Sequence, residues 1–144
     1  MCVIVDSNIV QRVFLDTTRE FERLNEAVMS GRARVVCGGE LTREYQRVTR
    51  FWRLLLKLDR GGAARQVHSR DVDRETERVR RLNICRSDDE HIIALARVGR
   101  VRLVCSNDQR LREDVRDPRL LSRPRGNIYT SASHDHLLRA HCTR

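Results

Sequence analysis

The chain has 144 residues, 40% of them hydrophobic and 34% charged, with a formal net charge of +9 and a pI of about 10.5. That length fits one domain with a core of its own, no apolar run approaches the roughly 20 residues of a membrane span, and the opening "MCVIVDSNIV" lacks the basic leader of a secretory signal. Lys57 is the only lysine, so arginine carries nearly all the positive charge, and its planar fork suits phosphate, which makes nucleic acid the first partner to consider.

"CVIVD" (2–6) is a short β-branched run, read as a buried strand ending in an acid. "TREFERLNEAVMSG" (18–31) reads as a helix stopped by Gly31. "ARVVCGG" (33–39) is a second strand. "ELTREYQRVTRFWRLLLKLD" (40–59) reads as one long helix, because Leu41, Tyr45, Val48, Trp52 and Leu55 recur at spacings of four and three. "RGG" (60–62) breaks the chain before a charged helix over 63–82, and "LNIC" (82–85) reads as a third strand.

"SDDEHIIALA" (87–96) then opens a helix that is apolar nearly all round and so buried. Ser87 and Glu90 stand at the spacing of a capping box, with Asp88 and Asp89 in the first turn, where free N–H groups favour negative charge. "VRLVCS" (101–106) is a fourth strand, "NDQRLREDV" (107–115) a short helix, "NIYTS" (127–131) a fifth strand and "HDHLLRAH" (134–141) a terminal helix. Helices alternating with short apolar strands predict an α/β fold, a parallel sheet of four to five strands covered on both faces, with right-handed crossovers.

Five cysteines, widely spaced and without a CxxC pair, read as free thiols of a reducing cytoplasm. The terminal histidines 134, 136 and 141 with Cys142 lack the paired spacing of a zinc site. The arginines of "RVTRFWR" (47–53) and "RETERVRR" (74–81) are by default a solvated face, and a surface for RNA phosphates if a nuclease cleft lies near.

Four acids stand where ligands bind in such a sheet, beyond the carboxyl ends of strands. Asp6 closes the first strand, Glu44 lies in the second turn of the helix after the second, Asp89 opens the helix after the third, and Asp108 follows the fourth by two residues. Glu44 falls on the apolar stripe between Leu41 and Val48, and Asp89 precedes Ile92, Ile93 and Ala96 on the buried helix. Carboxylates on core-facing positions are uncommon unless paired or bound to metal. Four in one pocket would repel and raise one another's pKa, which a divalent cation relieves; oxygen ligands suit Mg²⁺ or Mn²⁺. Glu40, by contrast, sits as a helix-start acid.

"VIVDSNIV", "GGELTREYQRV", "SDDEHIIALA", "LVCSND" and the tail "GNIYTSASHDHLL" together resemble the PIN-domain nucleases over essentially the whole chain. The resemblance implies a three-layer α/β/α fold and a metal-dependent endoribonuclease using one or two Mg²⁺ or Mn²⁺ ions. Asp6, Glu44, Asp89 and Asp108 would be its catalytic, metal-holding residues, and Asn8 and Ser106 would support them by hydrogen bonds. Many bacterial members are toxins of toxin–antitoxin pairs, which implies a cytoplasmic protein, a homodimer, with RNA as substrate and an antitoxin protein as partner. Gln109 and Arg110 stand where relatives carry a further acid, so Asp114 or Glu113 is the substitute candidate, and Asp88 is the rival to Asp89.

A phosphoacceptor receiver domain also places acids at strand ends, but needs a lysine after its fifth strand, and Lys57 lies in a helix. A non-catalytic RNA-binding or assembly module on the same fold would be marked by loss of the acids; all four are present.

Overall fold

A computed structural model describes residues 1–142, the last four of them by backbone alone, so the His141 and Cys142 side chains lie outside the described residues. Five strands, β1 (Cys2–Val5), β2 (Arg34–Cys37), β3 (Ala64–Gln66), β4 (Leu103–Cys105) and β5 (Asn127–Tyr129), form one sheet in the order β3-β2-β1-β4-β5. Every pairing is parallel, with Val3 opposite both Val35 and Leu103. Helices α1 (Glu22–Met29), α2 (Gly39–Arg47), α3 (Thr49–Arg60), α4 (Ser69–Leu82), α5 (Glu90–Gly99), α6 (Gln109–Arg116) and α7 (Asp135–Cys142) flank it in a three-layer α/β/α arrangement. Helices α2, α4 and α5 pack on one another, and α1 packs on α7. The three central strands are buried almost throughout, as parallel strands covered on both faces must be. Among the described residues, no helix is long and apolar enough to cross a membrane.

The third strand is not where the sequence pattern put it. Residues 83–85 form no strand: Asn83 takes φ 53° and ends α4 with a left-handed cap, and Leu82 is exposed. The strand is instead Ala64–Gln66, at the sheet edge beside β2. An edge strand needs only one buried face, so "ARQ" carries no continuous apolar run. Asp89 therefore follows a helix, not a strand. It still reaches the carboxyl end of the sheet, because the short link from α5 into β4 makes the helix antiparallel to the strand and leaves its first turn at that end.

The long helix over 40–59 is also two. Val48 leaves the helical region at ψ 84°, and α3 restarts with the Trp52 N–H bonded to the Val48 carbonyl at 2.9 Å. Val48 and Thr49 are β-branched neighbours, poor at continuing a helix. The break shifts the stripe: Leu41 and Tyr45 are buried from α2, and Phe51, Leu55 and Leu58 from α3, while Trp52 is only half-buried against the core. Phe51 meets the Tyr45 ring edge-on at 4.8 Å and stacks on Phe14 at 5.2 Å. The Tyr45 hydroxyl donates to the Val5 carbonyl, which ties α2 to the last residue of β1. Residues 7–15, between β1 and α1, wind through a 3-10 turn and a π turn that bury Ile9, Val10, Val13 and Phe14.

Candidate active site

Strands β2 and β3 lie to one side of β1, and β4 and β5 to the other, so the direction of winding reverses between β1 and β4. Open parallel sheets bind ligands in the crevice beyond the strand ends at such a point. Asp6 lies there, 2% exposed, its N–H bonded to the Cys105 carbonyl at 2.9 Å. Ser106, fully buried, joins the two strand ends: its hydroxyl donates to Asp6 Oδ2 at 2.8 Å and accepts from the Asp108 N–H at 3.0 Å. Asn8 supports Asp6 through its backbone, N to Oδ1 3.3 Å, and its side chain is exposed. Burial pushes the Asp6 carboxyl up; the Ser106 and Asn8 bonds pull it down, and Glu44 and Asp108 raise it further, with a net rise.

Asp108 caps α6, accepting from the Arg110 and Leu111 N–H groups at 2.8 and 3.1 Å, both on Oδ1. Glu44 projects from the second turn of α2. The Ser7 hydroxyl donates to its Oε2, and His91 Nε2 lies 2.8 Å from its Oε1. Burial raises the Glu44 carboxyl, but the His91 and Ser7 contacts outweigh it and hold the group below its ordinary value.

Asp89 occupies the N-cap position of α5. Its carbonyl accepts from the Ile92 N–H at 2.9 Å, but its carboxylate caps nothing and, among the described residues, receives no hydrogen bond. Its pKa is pushed up to about 6, first by burial, then by the negative charge of Asp6, and further by Asp108 and Glu44; His91 pulls the other way. The structure thus brings the other three predicted acids, Asp6, Glu44 and Asp108, within electrostatic reach of Asp89.

The other acids of the region do different work. Asp114, 2% exposed, accepts from the Arg86 N–H at 2.8 Å, the Ser87 N–H at 2.9 Å and the Ser87 hydroxyl at 2.6 Å. Glu113 pairs with Arg86 at 2.6 Å. Both fasten the turn before α5 to α6, which corrects their reading as substitute site acids. The same bonds displace the expected capping box: the Ser87 N–H goes to Asp114, not Glu90, and the helix starts at Glu90 rather than just after Ser87. Asp88 is exposed.

Sequence reasoning missed His91. It is 4% exposed, lies between Glu44 and Glu40 (Nδ1 to Glu40 Oε2 3.7 Å), and both carboxylates, with Asp89, raise its pKa against the lowering effect of burial. The 2.8 Å approach to Glu44 is off the N–H axis, and neither ring nitrogen has an aligned hydrogen-bond partner; the pair is a close electrostatic contact, which depends on distance more than on angle. Glu40, Glu44 and His91 each offer a ligand atom, all within 4.8 Å of one another, and can hold a metal ion. The signal was present: a titratable residue inside an otherwise apolar, buried helix needs a partner. Near the terminus, His134 Nδ1 accepts from the Thr130 N–H at 3.0 Å, a local turn bond.

Comparison of the chain with family models, with curated proteins and with solved structures returns no match.

Proposed function

We propose that the chain is a divalent-cation-dependent endoribonuclease of the PIN type. The observation that carries this reading is Asp89: a carboxylate with no hydrogen-bond donor among the described residues, raised to about 6 by burial and by three other acids at the reversal point of a parallel sheet. A fold gains nothing from crowding four carboxylates unless something cationic joins them. The all-oxygen donor set of Asp6, Glu44, Asp89 and Asp108 fits Mg²⁺ or Mn²⁺. When bound, such an ion activates water and stabilises the charge of a phosphodiester undergoing in-line attack.

Each of the four acids then has a definable part. Asp6 and Asp108 hold the cation from adjacent strand ends, kept in register by Ser106. Glu44 closes the pocket from α2, oriented by Ser7. Asp89 supplies the carboxylate whose ionisation the cation favours. Exposed arginines such as Arg47, Arg50 and Arg53 on α2 and α3 are available to RNA phosphates; on α4, Arg78 and Arg80 are already engaged by Glu75 and Glu77.

The test is cleavage of RNA by the purified chain with Mg²⁺ or Mn²⁺, with a chelator, and with Asp6→Asn. Cleavage that needs the cation and falls by about a hundredfold or more in the variant is expected. RNA binding without cation-dependent cleavage would favour the non-catalytic module instead. The resemblance extends the proposal to the toxin of a toxin–antitoxin pair; a small protein encoded beside this chain that suppresses its cleavage would support that extension.

A further inference from the structure

The acidic pocket explains Asp6, Asp89 and Asp108, but not why a histidine is buried beside Glu44. His91 is 4% exposed and both its ring nitrogens lack an aligned partner. The Glu44 and Glu40 carboxylates face those nitrogens without an aligned hydrogen bond, so a bound ion can improve on the contact. The surrounding chain is built to bring it there. Glu40 and Glu44 stand one turn apart on the same face of α2. The start of α2 is drawn close to its neighbours by two glycines: a Cβ at Gly38 would meet Leu95 Cδ1 of α5 at 3.2 Å and the Val67 carbonyl at 2.8 Å. Gly39, at φ +59°, would press a Cβ on Val72 at 2.8 Å. The imidazole then presents Nδ1 towards Glu40 and Nε2 towards Glu44. Either nitrogen can ligate while the other faces a carboxylate, the arrangement that fixes the tautomer and orientation of metal-binding histidines. A competing cation, Arg80, stands 3.7 Å from Glu40 with both side chains nearly half exposed, a weak hold, and Arg47 adds a positive charge near Glu44.

We propose that Glu40, Glu44 and His91 form a second cation site, which takes a nitrogen-accepting transition metal such as Mn²⁺ or Zn²⁺ in preference to Mg²⁺ and is coupled to the acidic pocket through their shared Glu44. The preference follows from the donors: imidazole suits Zn²⁺ and its neighbours, whereas Mg²⁺ demands oxygen and keeps its waters. The coupling follows from Glu44, which turns Oε1 to His91 and Oε2 to Ser7 beside Asp6. The coupling rests on the nuclease reading; the site itself does not.

The experiment counts tightly bound Mn²⁺ per chain by electron paramagnetic resonance, with and without excess Mg²⁺, in the wild type, His91→Gln and Asp6→Asn. Two ions are expected in the wild type, one of them resistant to Mg²⁺. His91→Gln should lose the Mg²⁺-resistant ion and Asp6→Asn should keep it. In Asp6→Asn, Mn²⁺ should also broaden the His91 ring signals in the NMR spectrum. If His91→Gln binds Mn²⁺ as the wild type does, the proposal is overturned. If His91→Gln loses an ion but Asp6→Asn loses none, the second site stands and the acidic pocket fails. Should His91→Gln not fold, Glu40→Gln, on a residue nearly half exposed, carries the test: Mn²⁺ and Zn²⁺ affinity at the Mg²⁺-resistant site should fall about tenfold or more, and unchanged affinity would count against the site.

Discussion

Asp89 and Asp114 are both withdrawn from solvent around the start of α5, and they are opposites. Asp114 is deeply buried and has three donors within 2.9 Å, all from residues 86 and 87. Asp89 is less buried, has no donor among the described residues, and faces three more carboxylates. A carboxylate that helps a fold collects hydrogen bonds, and one that strains it waits for something from outside. Burial alone would have ranked the two the wrong way round, because the structural acid is the more hidden one.

The comparison breaks most visibly at Asp114. Asp114→Ala strips three hydrogen bonds from a buried site and orphans two backbone N–H groups. It should cost roughly 2–4 kcal/mol of stability, read by urea denaturation, while the folded protein keeps its response to cations. A loss below about 0.5 kcal/mol would mean that Asp114 does not fasten the turn.

Asp89→Asn should act in the opposite direction. Burial and the neighbouring acids push the Asp89 carboxyl up to about 6, above the ordinary aspartate range. Its carboxyl therefore favours the fold fully below that range, and that contribution is lost as pH rises through about 6. Without metal, the wild type should lose stability over that window, by on the order of 1 kcal/mol once solvent screening of a partly exposed group is allowed for. The variant should lack that slope and melt a few degrees higher at pH 8. Melting curves at pH 4.5 and 8 in chelator decide it; a variant less stable than the wild type at pH 8 would contradict the strain assigned to Asp89.

The smallest effects belong to the flanking acids. Asp88→Asn removes a charge near a helix start, typically about 0.3–1 kcal/mol. Glu90→Gln, in a helix with no capping box, should change melting by less than that and leave cleavage in place. If Asp88→Asn abolishes cleavage and Asp89→Asn does not, the site register is off by one residue.

How much of this was legible beforehand follows from what each residue's neighbours in sequence could reveal. Asp6 and Asp108 sit at or just past the ends of apolar β-branched runs, and strand ends in a parallel sheet share one edge, so periodicity located them, whereas the supporting part of Ser106 came from the family resemblance. Glu44 was marked by standing on an apolar stripe, although the stripe itself breaks at Val48. Asp114 was ambiguous because its donors lie 27 and 28 residues away in the chain, and nothing local distinguishes a fastened acid from a free one. His91 did carry a local signal, a titratable side chain inside an apolar helix, but what it serves depends on Glu40 and Glu44, brought over by two glycines whose close packing leaves no periodic trace. The edge strand β3 carries too few apolar residues to be recognised, and the "LNIC" segment carries enough to mislead.

The central claim is that Asp89 is strained because it is a cation ligand. Its most direct test is the change in melting temperature on adding Mg²⁺ at pH 8 to the wild type, Asp89→Asn and Asp114→Asn. The wild type should gain several degrees. Asp114→Asn should gain a similar amount from a lower starting point, and Asp89→Asn, starting higher, should gain nothing. A Mg²⁺ shift in Asp89→Asn equal to that of the wild type would contradict the account.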